Sequence, residues 1–92
     1  MTSSYVVRAV PHQVSCEMDG EAVILDMESN TYYGLDSTAA RIWQLIQQPR
    51  RFSEICDTLQ SEYDIDATNC AREVDEFINH MVKLGLARLE NE

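Results

Sequence analysis

The chain is short of several residue types on which common catalytic and cofactor-binding sites depend. Its 92 residues include only three glycines, two histidines and three cysteines. Three widely spaced glycines cannot form a GxGxxG or GxxxxGK motif, so no nucleotide-binding loop is indicated. The cysteines at positions 16, 56 and 70 are odd in number and never form a CxxC pair. This excludes an evident disulfide framework or zinc site and predicts reduced, mostly buried thiols.

Basic residues and long apolar runs are also scarce. Seven Lys and Arg stand against sixteen Asp and Glu, which gives a net charge of −9 at pH 7. This charge repels nucleic acid phosphates and anionic membranes and suits a basic or apolar partner better. No apolar run approaches the ~20 residues that span a bilayer, and the N-terminus lacks the order of a signal peptide. We therefore expect a cytoplasmic protein that binds neither nucleic acid nor membrane and holds no cofactor or metal ion.

The remaining polar residues do not assemble a catalytic set. A cysteine nucleophile needs a histidine base beside it, yet His12 adjoins Pro11 on the approach to a strand and His80 lies on the polar face of a helix. The acidic stretch 62–73 resembles a calcium loop only loosely, because Ala67 stands where the sharp turn requires glycine. We therefore expect that the protein is not an enzyme.

What the chain does contain is enough apolar sequence for one folded domain. Hydrophobic residues make up 45% and charged residues 25% of the chain, as in an ordinary globular protein. Ninety-two residues accommodate a single core. We interpret residues 1–10 as a loosely attached N-terminal arm and residues 11–90 as the folded domain.

A β-hairpin is predicted around Asp19-Gly20, the preferred dipeptide of a type I′ turn. A two-residue turn there places Met18 opposite Glu21 and sets the pairing of the residues that follow along both strands. Residues 23, 25 and 27 alternate with residues 22, 24 and 26 as in a half-buried strand. Directly opposed residues share a face, and the pairs on the apolar face are Met18 with Glu21, Cys16 with Val23, and Val14 with Leu25.

The third strand carries two adjacent tyrosines whose orientation depends on the loop before it. A two-residue loop pairs Met27 with Tyr32, whereas a three-residue loop pairs Leu25 with Tyr33. The sequence leaves open which tyrosine faces the core. In a simple meander this strand lies at an edge of the sheet and presents a row of unpaired backbone groups.

Three amphipathic helices are predicted after the strands. The first runs from about Ser37 to Gln48 and stops at Pro49. Ser53 can cap the second helix after a basic loop, and Asp66 can cap the third and longest, which Gly85 ends before a short closing strand. The predicted fold is α+β, with a three-stranded antiparallel sheet followed by a three-helix, winged-helix-turn-helix-like unit. Such a helix pair also raises DNA binding as an alternative function, although the acidic helices oppose it.

Five segments carry a resemblance to a known family, namely LD at 25–26, YYGLD at 32–36, TAARIW at 38–43, VDEF at 74–77 and LGL at 84–86. On these segments, residues 12–89 resemble the PqqD family, the recognition elements of ribosomally made, modified peptides. A stand-alone short chain with this pattern is most similar to the leader-binding proteins of lasso-peptide pathways.

The resemblance implies a non-catalytic adaptor that binds the leader of a precursor peptide as an added strand. In the family the leader lies between the third strand and the third helix, and residues 11–90 would be the recognition domain. The implied partners are the precursor leader, a leader peptidase with a cysteine nucleophile, and an ATP-dependent cyclase. Another modified-peptide or PQQ pathway stays open. The peptide-binding residues carried over by position are Thr31, Tyr32, Tyr33, Gly34, Leu35, Val74, Phe77, Ile78 and Met81.

Overall fold

A computed structural model describes residues 5–91 of the chain. Six strands form two antiparallel sheets with strand orders β2-β3-β4 and β5-β1-β6. The predicted α+β class, with a three-stranded antiparallel sheet and three helices, is confirmed. In chain order the elements are β1 (Tyr5–Ala9), β2 (Gln13–Met18), β3 (Glu21–Asp26), β4 (Thr31–Leu35), α1 (Ser37–Leu45), β5 (Arg50–Arg51), α2 (Phe52–Glu62), α3 (Ala67–Lys83) and β6 (Ala87–Asn91).

The first hairpin, β2 and β3, has the predicted register. Met18 opposes Glu21 and Cys16 opposes Val23. Asp19 and Gly20 both adopt positive φ, 53° and 82°, as the two central residues of a type I′ turn must. The preference of the Asp19-Gly20 dipeptide for a type I′ turn was therefore enough to predict this register.

The second hairpin has a longer connection than either loop length considered from the sequence. Asp26 opposes Thr31, so four residues, 27–30, connect β3 to β4. The Asn30 N–H donates to the Asp26 carbonyl oxygen at 2.8 Å, and Asn30 takes up a positive φ of 57°. As a result Tyr33 packs against the core, whereas the Tyr32 side chain is 70% exposed.

The part of the N-terminal arm that the structure describes, residues 5–10, is more firmly attached than its sequence indicates, and residues 1–4 lie outside the described residues. Residues 5–9 form β1, the central strand of the second sheet, between β5 and β6. Val7 and Val10 are buried in the core. The residues that pair with β1 lie 43–45 and 78–86 positions further along the chain, so no local pattern reveals them. Arg50 and Arg51, interpreted as a basic loop, form the short strand β5.

The first helix starts at Ser37 as predicted but ends earlier, and the second helix starts earlier than predicted. Asp36 caps α1 by accepting the Ala39 N–H at 2.9 Å. The helix ends at Leu45 rather than Gln48, and the Arg50 side chain donates to the Leu45 carbonyl oxygen at 3.0 Å. Helix α2 begins directly after β5, at Phe52 rather than after a Ser53 cap.

Helix α3 begins and ends as predicted. The Asp66 carboxylate accepts the Asn69 N–H at 2.7 Å. Gly85 has a φ of 77° beyond the last turn, a conformation that glycine adopts at low cost. The chain then enters β6, close to the predicted closing strand. The sequence signals at both ends of α3 are thus sufficient.

One core lies between the inner face of sheet β2-β3-β4, the three helices and the second sheet. Trp43, the chain's only tryptophan, is 1% exposed and belongs to it. The largest fully buried side chains are those of Trp43, Ile24, Ile42, Ile46, Ile55, Ile78, Met81 and Leu86. No helix of the described residues is both long and apolar enough to cross a membrane.

Candidate functional site

Strand β4 lies at the edge of sheet β2-β3-β4, and its outer side pairs with no other described strand. The ladder hydrogen bonds show which backbone groups are free there. The Met27 N–H donates to the His12 carbonyl oxygen at 2.9 Å, beside the β2-β3 ladder. Because successive residues of a strand direct their backbone groups to opposite neighbours, the odd-numbered residues of β3 bond to β2 and the even-numbered ones to β4.

The same alternation assigns the backbone groups of β4. Even-numbered residues of β3 oppose odd-numbered residues of β4, as Ile24 opposes Tyr33. Tyr33 therefore bonds to β3, whereas Tyr32 and Gly34 direct their N–H and C=O groups to the free edge. An extended peptide laid along β4 would find two donors and two acceptors in ladder geometry.

A groove runs beside this edge, between β4 and α3. Its volume is about 370 Å³, within the range of small ligand sites. Strand β4 forms one wall, Ala39 of α1 lies at its base, and Phe77, His80 and Met81 of α3 form the other wall. The groove thus combines apolar side chains with the polar groups of Asp36 and His80. Unpaired backbone groups bound it on one side, and strand addition uses such an edge beside side-chain pockets.

A second cavity of about 450 Å³ continues the groove between α1 and α3. The residues that line both cavities are Asp36, Ala39, Phe77 and His80. The second cavity adds the carboxylates of Glu73 and Glu76. A ligand that extended out of the groove at this end would therefore enter a more negatively charged region, in keeping with the net charge of −9.

The residues predicted to bind a peptide divide into three sets. Tyr32, Tyr33, Gly34, Leu35, Phe77 and Met81 line the groove. Thr31 is exposed at the start of β4. Val74 and Ile78, the other two, are both 0% exposed and lie in the core outside the groove lining.

The placement of α3 explains this division. The helix turns one side of its apolar stripe to the core and only the margin of that stripe, around Phe77, to the groove. The sequence did not indicate Asp36, Ala39 or His80 as groove residues. Asp36 caps α1 and His80 lies on the polar side of α3, so the sequence pattern around neither residue indicates contact with a ligand.

The outer face of sheet β2-β3-β4 is apolar and uncovered by any described residue. The residues that the hairpin register places on it include Val14 and Met18, which are 53% and 62% exposed. Val23 and Leu25 are half-buried beside them, and Tyr32 of β4 lies on the same face. The buried residues of β3 are instead Ala22, Ile24 and Asp26. Exposed apolar surface of this extent is typical of interaction sites.

The β3–β4 loop before the edge strand is held by a buried carboxylate. Burial alone would raise the pKa of Asp26, but hydrogen bonds from the Glu28 N–H and from Ser29 outweigh it and lower this pKa, with a smaller contribution from His12. The Glu28 N–H lies 3.0 Å from Asp26 Oδ1. His12 lies between two carboxylates, 3.9 Å from Asp26 and 3.6 Å from Glu28. These contacts fix where β4 begins.

Cys16 is exposed rather than buried, and the other two cysteines, Cys56 and Cys70, are poorly suited to nucleophilic chemistry. Burial raises the pKa of Cys56 to about 12 and also raises the pKa of Cys70. Both therefore stay protonated near neutral pH, whereas the thiolate is the nucleophile. The Cys70 thiol donates to the Cys56 carbonyl oxygen at 3.6 Å. Within residues 5–91, no group of three or more His, Cys, Asp or Glu side chains could hold a metal ion.

Comparison with known families identifies the architecture. Residues 21–87 match the model of the family described as coenzyme PQQ synthesis protein D, PqqD. This chain belongs to the PqqD family. The match covers β3 and β4, all three helices and the first residue of β6. The PqqD resemblance read from the sequence is thereby confirmed. No curated protein matches the chain.

Two solved structures resemble this PqqD-family chain over nearly its whole length. One is TbiB1 in complex with the TbiA(beta) leader peptide, with 32% identity and a TM-score of 0.81; the match covers 92% of this chain and 96% of that one. The other is a lasso peptide synthetase B1 complexed with the leader peptide, with 26% identity and a TM-score of 0.78, covering 94% and 99%. Both relatives were solved with a leader peptide bound.

Proposed function

We propose that this PqqD-family chain binds the leader peptide of a ribosomally synthesised precursor, in lasso-peptide biosynthesis. The observation that carries the proposal is the free edge of β4 beside a groove lined by Tyr33, Phe77 and Met81. The leader adds as a fourth strand to sheet β2-β3-β4 and places alternate side chains between β4 and α3. The relatives whose structures contain a leader peptide cover almost the same length of chain.

The leader contributes two kinds of contact. Its backbone bonds to the free groups of Tyr32 and Gly34, which gives affinity with little dependence on sequence. Its inward side chains enter the groove against Tyr33, Phe77 and Met81, which gives specificity. Thr31 begins the strand that receives the leader. Val74 and Ile78 act indirectly, because they support α3 from within the core.

The protein performs no chemistry in this proposal and presents the leader to other proteins. These are a leader peptidase with a cysteine nucleophile and an ATP-dependent cyclase that acts on the released core peptide. We place the peptidase on the outer face of sheet β2-β3-β4, since an added leader strand would continue that apolar face. The exposed carboxylates of Asp19, Glu21 and Glu28 surround it, so a partner with a basic rim fits best. The recognition domain is residues 11–90, and the arm, residues 1–10, contributes β1.

The charge of α3 argues against the alternative function, DNA binding. The exposed side of α3 carries Glu73, Asp75 and Glu76, and the chain as a whole is strongly acidic. A recognition helix with this charge would be repelled by phosphates.

The proposal is tested by titrating the protein into a fluorescently labelled leader peptide of the precursor encoded beside it. We expect saturable binding in the sub-micromolar range and an unlabelled leader that competes for it. An absence of saturable binding below about 100 μM, equivalent to about 5 kcal/mol, would refute leader binding. A scrambled leader of the same composition is the matched control and should bind at least tenfold more weakly.

A further inference from the structure

Gly34 is a glycine that the fold of the free chain does not require. It lies within β4, and its φ is outside the positive range that favours glycine. A Cβ atom built on it would meet no other atom within 4 Å. Glycine inside a strand is destabilising relative to alanine. Since neither backbone conformation nor packing explains it, the position points to something that approaches from outside.

The space left by Gly34 opens on the outer face of the sheet. Gly34 opposes Val23 in the β3–β4 ladder. Around the two residues lies a depression of about 310 Å³, with Met18 on its far side. It shares Gly34, Leu35 and Asp36 with the groove beside α3, but Val23 and Met18 line it on the outer face of the sheet, where α3 contributes no residue. The depression reaches the edge of the sheet where Gly34 directs its free backbone groups.

We propose that the leader residue opposite Gly34 carries a large apolar side chain, which lies across the glycine and packs on Val23 and Met18. The inference rests on strand addition at β4, the proposed function. Alternate residues of an added strand point outward, and a residue paired with Gly34 points to the same face as Gly34 does. An outward side chain at that position meets no β4 side chain and can lean over the strand.

The chemistry of the depression sets the class of side chain. Val23 is half-buried and Met18 is 62% exposed, so both have apolar surface left to cover. The flexible Met18 side chain can adapt to an aromatic or long aliphatic residue. The carboxylates of Glu21 and Asp36 at the rim disfavour an acidic one. Side chains of the leader are thus recognised on both faces of β4: in the groove between β4 and α3, and in this subsite on the outer face of the sheet.

The test is a double-mutant cycle between the protein and the leader. Gly34→Leu fills the depression with the protein's own side chain and leaves every backbone group in place. We expect it to weaken binding of the unaltered leader at least fivefold, with no fall in melting temperature. Val14→Leu, on the same face but on the strand furthest from the edge, is the matched control and should change the affinity less than twofold.

Alanine is then substituted in turn at each large apolar residue of the leader. At one leader position, alanine should weaken binding to the unaltered protein about fivefold. The same leader variant should bind the Gly34→Leu protein less than twofold more weakly than the unaltered leader binds that protein. The subsite would be overturned if Gly34→Leu bound the unaltered leader within twofold of the parent protein. It would also be overturned if Gly34→Leu lowered the affinity for every leader variant by the same factor. Neither result would contradict strand addition. No binding of the leader to the unaltered protein would overturn both.

Discussion

The outer face of sheet β2-β3-β4 carries more apolar residues than the inner face, yet the helices cover the inner one. On the inner face Ile24 is fully buried beneath the helices. On the outer face Val14 and Met18 remain largely exposed. Alternation of apolar residues therefore predicted the strands and their register but not which face the helices cover. A chain that keeps one apolar sheet face and one sheet edge open retains two adjacent surfaces on which a partner can bind.

The largest expected difference between the faces is in stability. Ile24→Ala should lower the free energy of unfolding by about 2–5 kcal/mol, because it leaves a cavity in the core. Val14→Ala on the outer face should change it by only about 0.5 kcal/mol. Urea unfolding followed by circular dichroism measures both. Similar losses from the two variants would mean that the outer face is covered in solution.

The free edge is tested by a pair of substitutions at one residue. Tyr32→Pro removes a backbone N–H that points away from the sheet, so leader affinity should fall at least tenfold, or about 1.4 kcal/mol. Tyr32→Ala keeps that N–H and removes an exposed side chain, so it should cost less than about threefold. Fluorescence anisotropy gives both affinities, and equal ones would contradict pairing at Tyr32. Circular dichroism checks that both variants fold.

The outer face and the edge should be separable by function. Val14→Asp places a charge on the outer face at the strand furthest from β4. Leader affinity should stay within about twofold, whereas the rate of leader removal by the peptidase should fall at least tenfold, as expected when a charge enters an apolar interface. Cleavage is measured by mass spectrometry at saturating leader. An unchanged rate would place the peptidase elsewhere on the protein.

The smallest expected effect concerns the loop that precedes the edge. Because the pKa of Asp26 is lowered in the folded chain, its charged form stabilises the fold above the ordinary carboxyl pKa of about 3.9. That contribution is lost as the pH falls through the lowered value. Asp26→Asn should therefore lower the melting temperature at pH 7, and the deficit should shrink at pH 3. An equal deficit at both pH values would contradict a role for the charge.

The features of the fold that could be predicted from the sequence are those determined by residues close together along the chain. The Asp19-Gly20 turn and both ends of α3 are set by residues within a few positions, and all three were predicted. The strand β1 depends on partners far along the chain and was missed. The four-residue loop was missed because its conformation depends on contacts of Asp26, including one with His12. His12 is too far from the loop in sequence to enter a local turn rule.

The candidate site shows the same limit at finer scale. The strand half of the predicted site lies on the groove almost entirely, since an edge strand places its residues at the edge whatever packs on it. The helix half depends on the rotation of α3 against the sheet. The apolar stripe of α3 holds both core and groove residues, and its sequence does not divide Phe77 from Val74 or Ile78.

Hydrogen exchange of the β4 amides, measured by NMR with and without the leader peptide, tests strand addition most directly. Our account predicts that the leader slows exchange at Tyr32 and Gly34 by at least tenfold. The amides of Thr31, Tyr33 and Leu35 should change much less, since they are already bonded to β3. Saturating leader that leaves the Tyr32 and Gly34 amides unprotected would contradict strand addition at this edge.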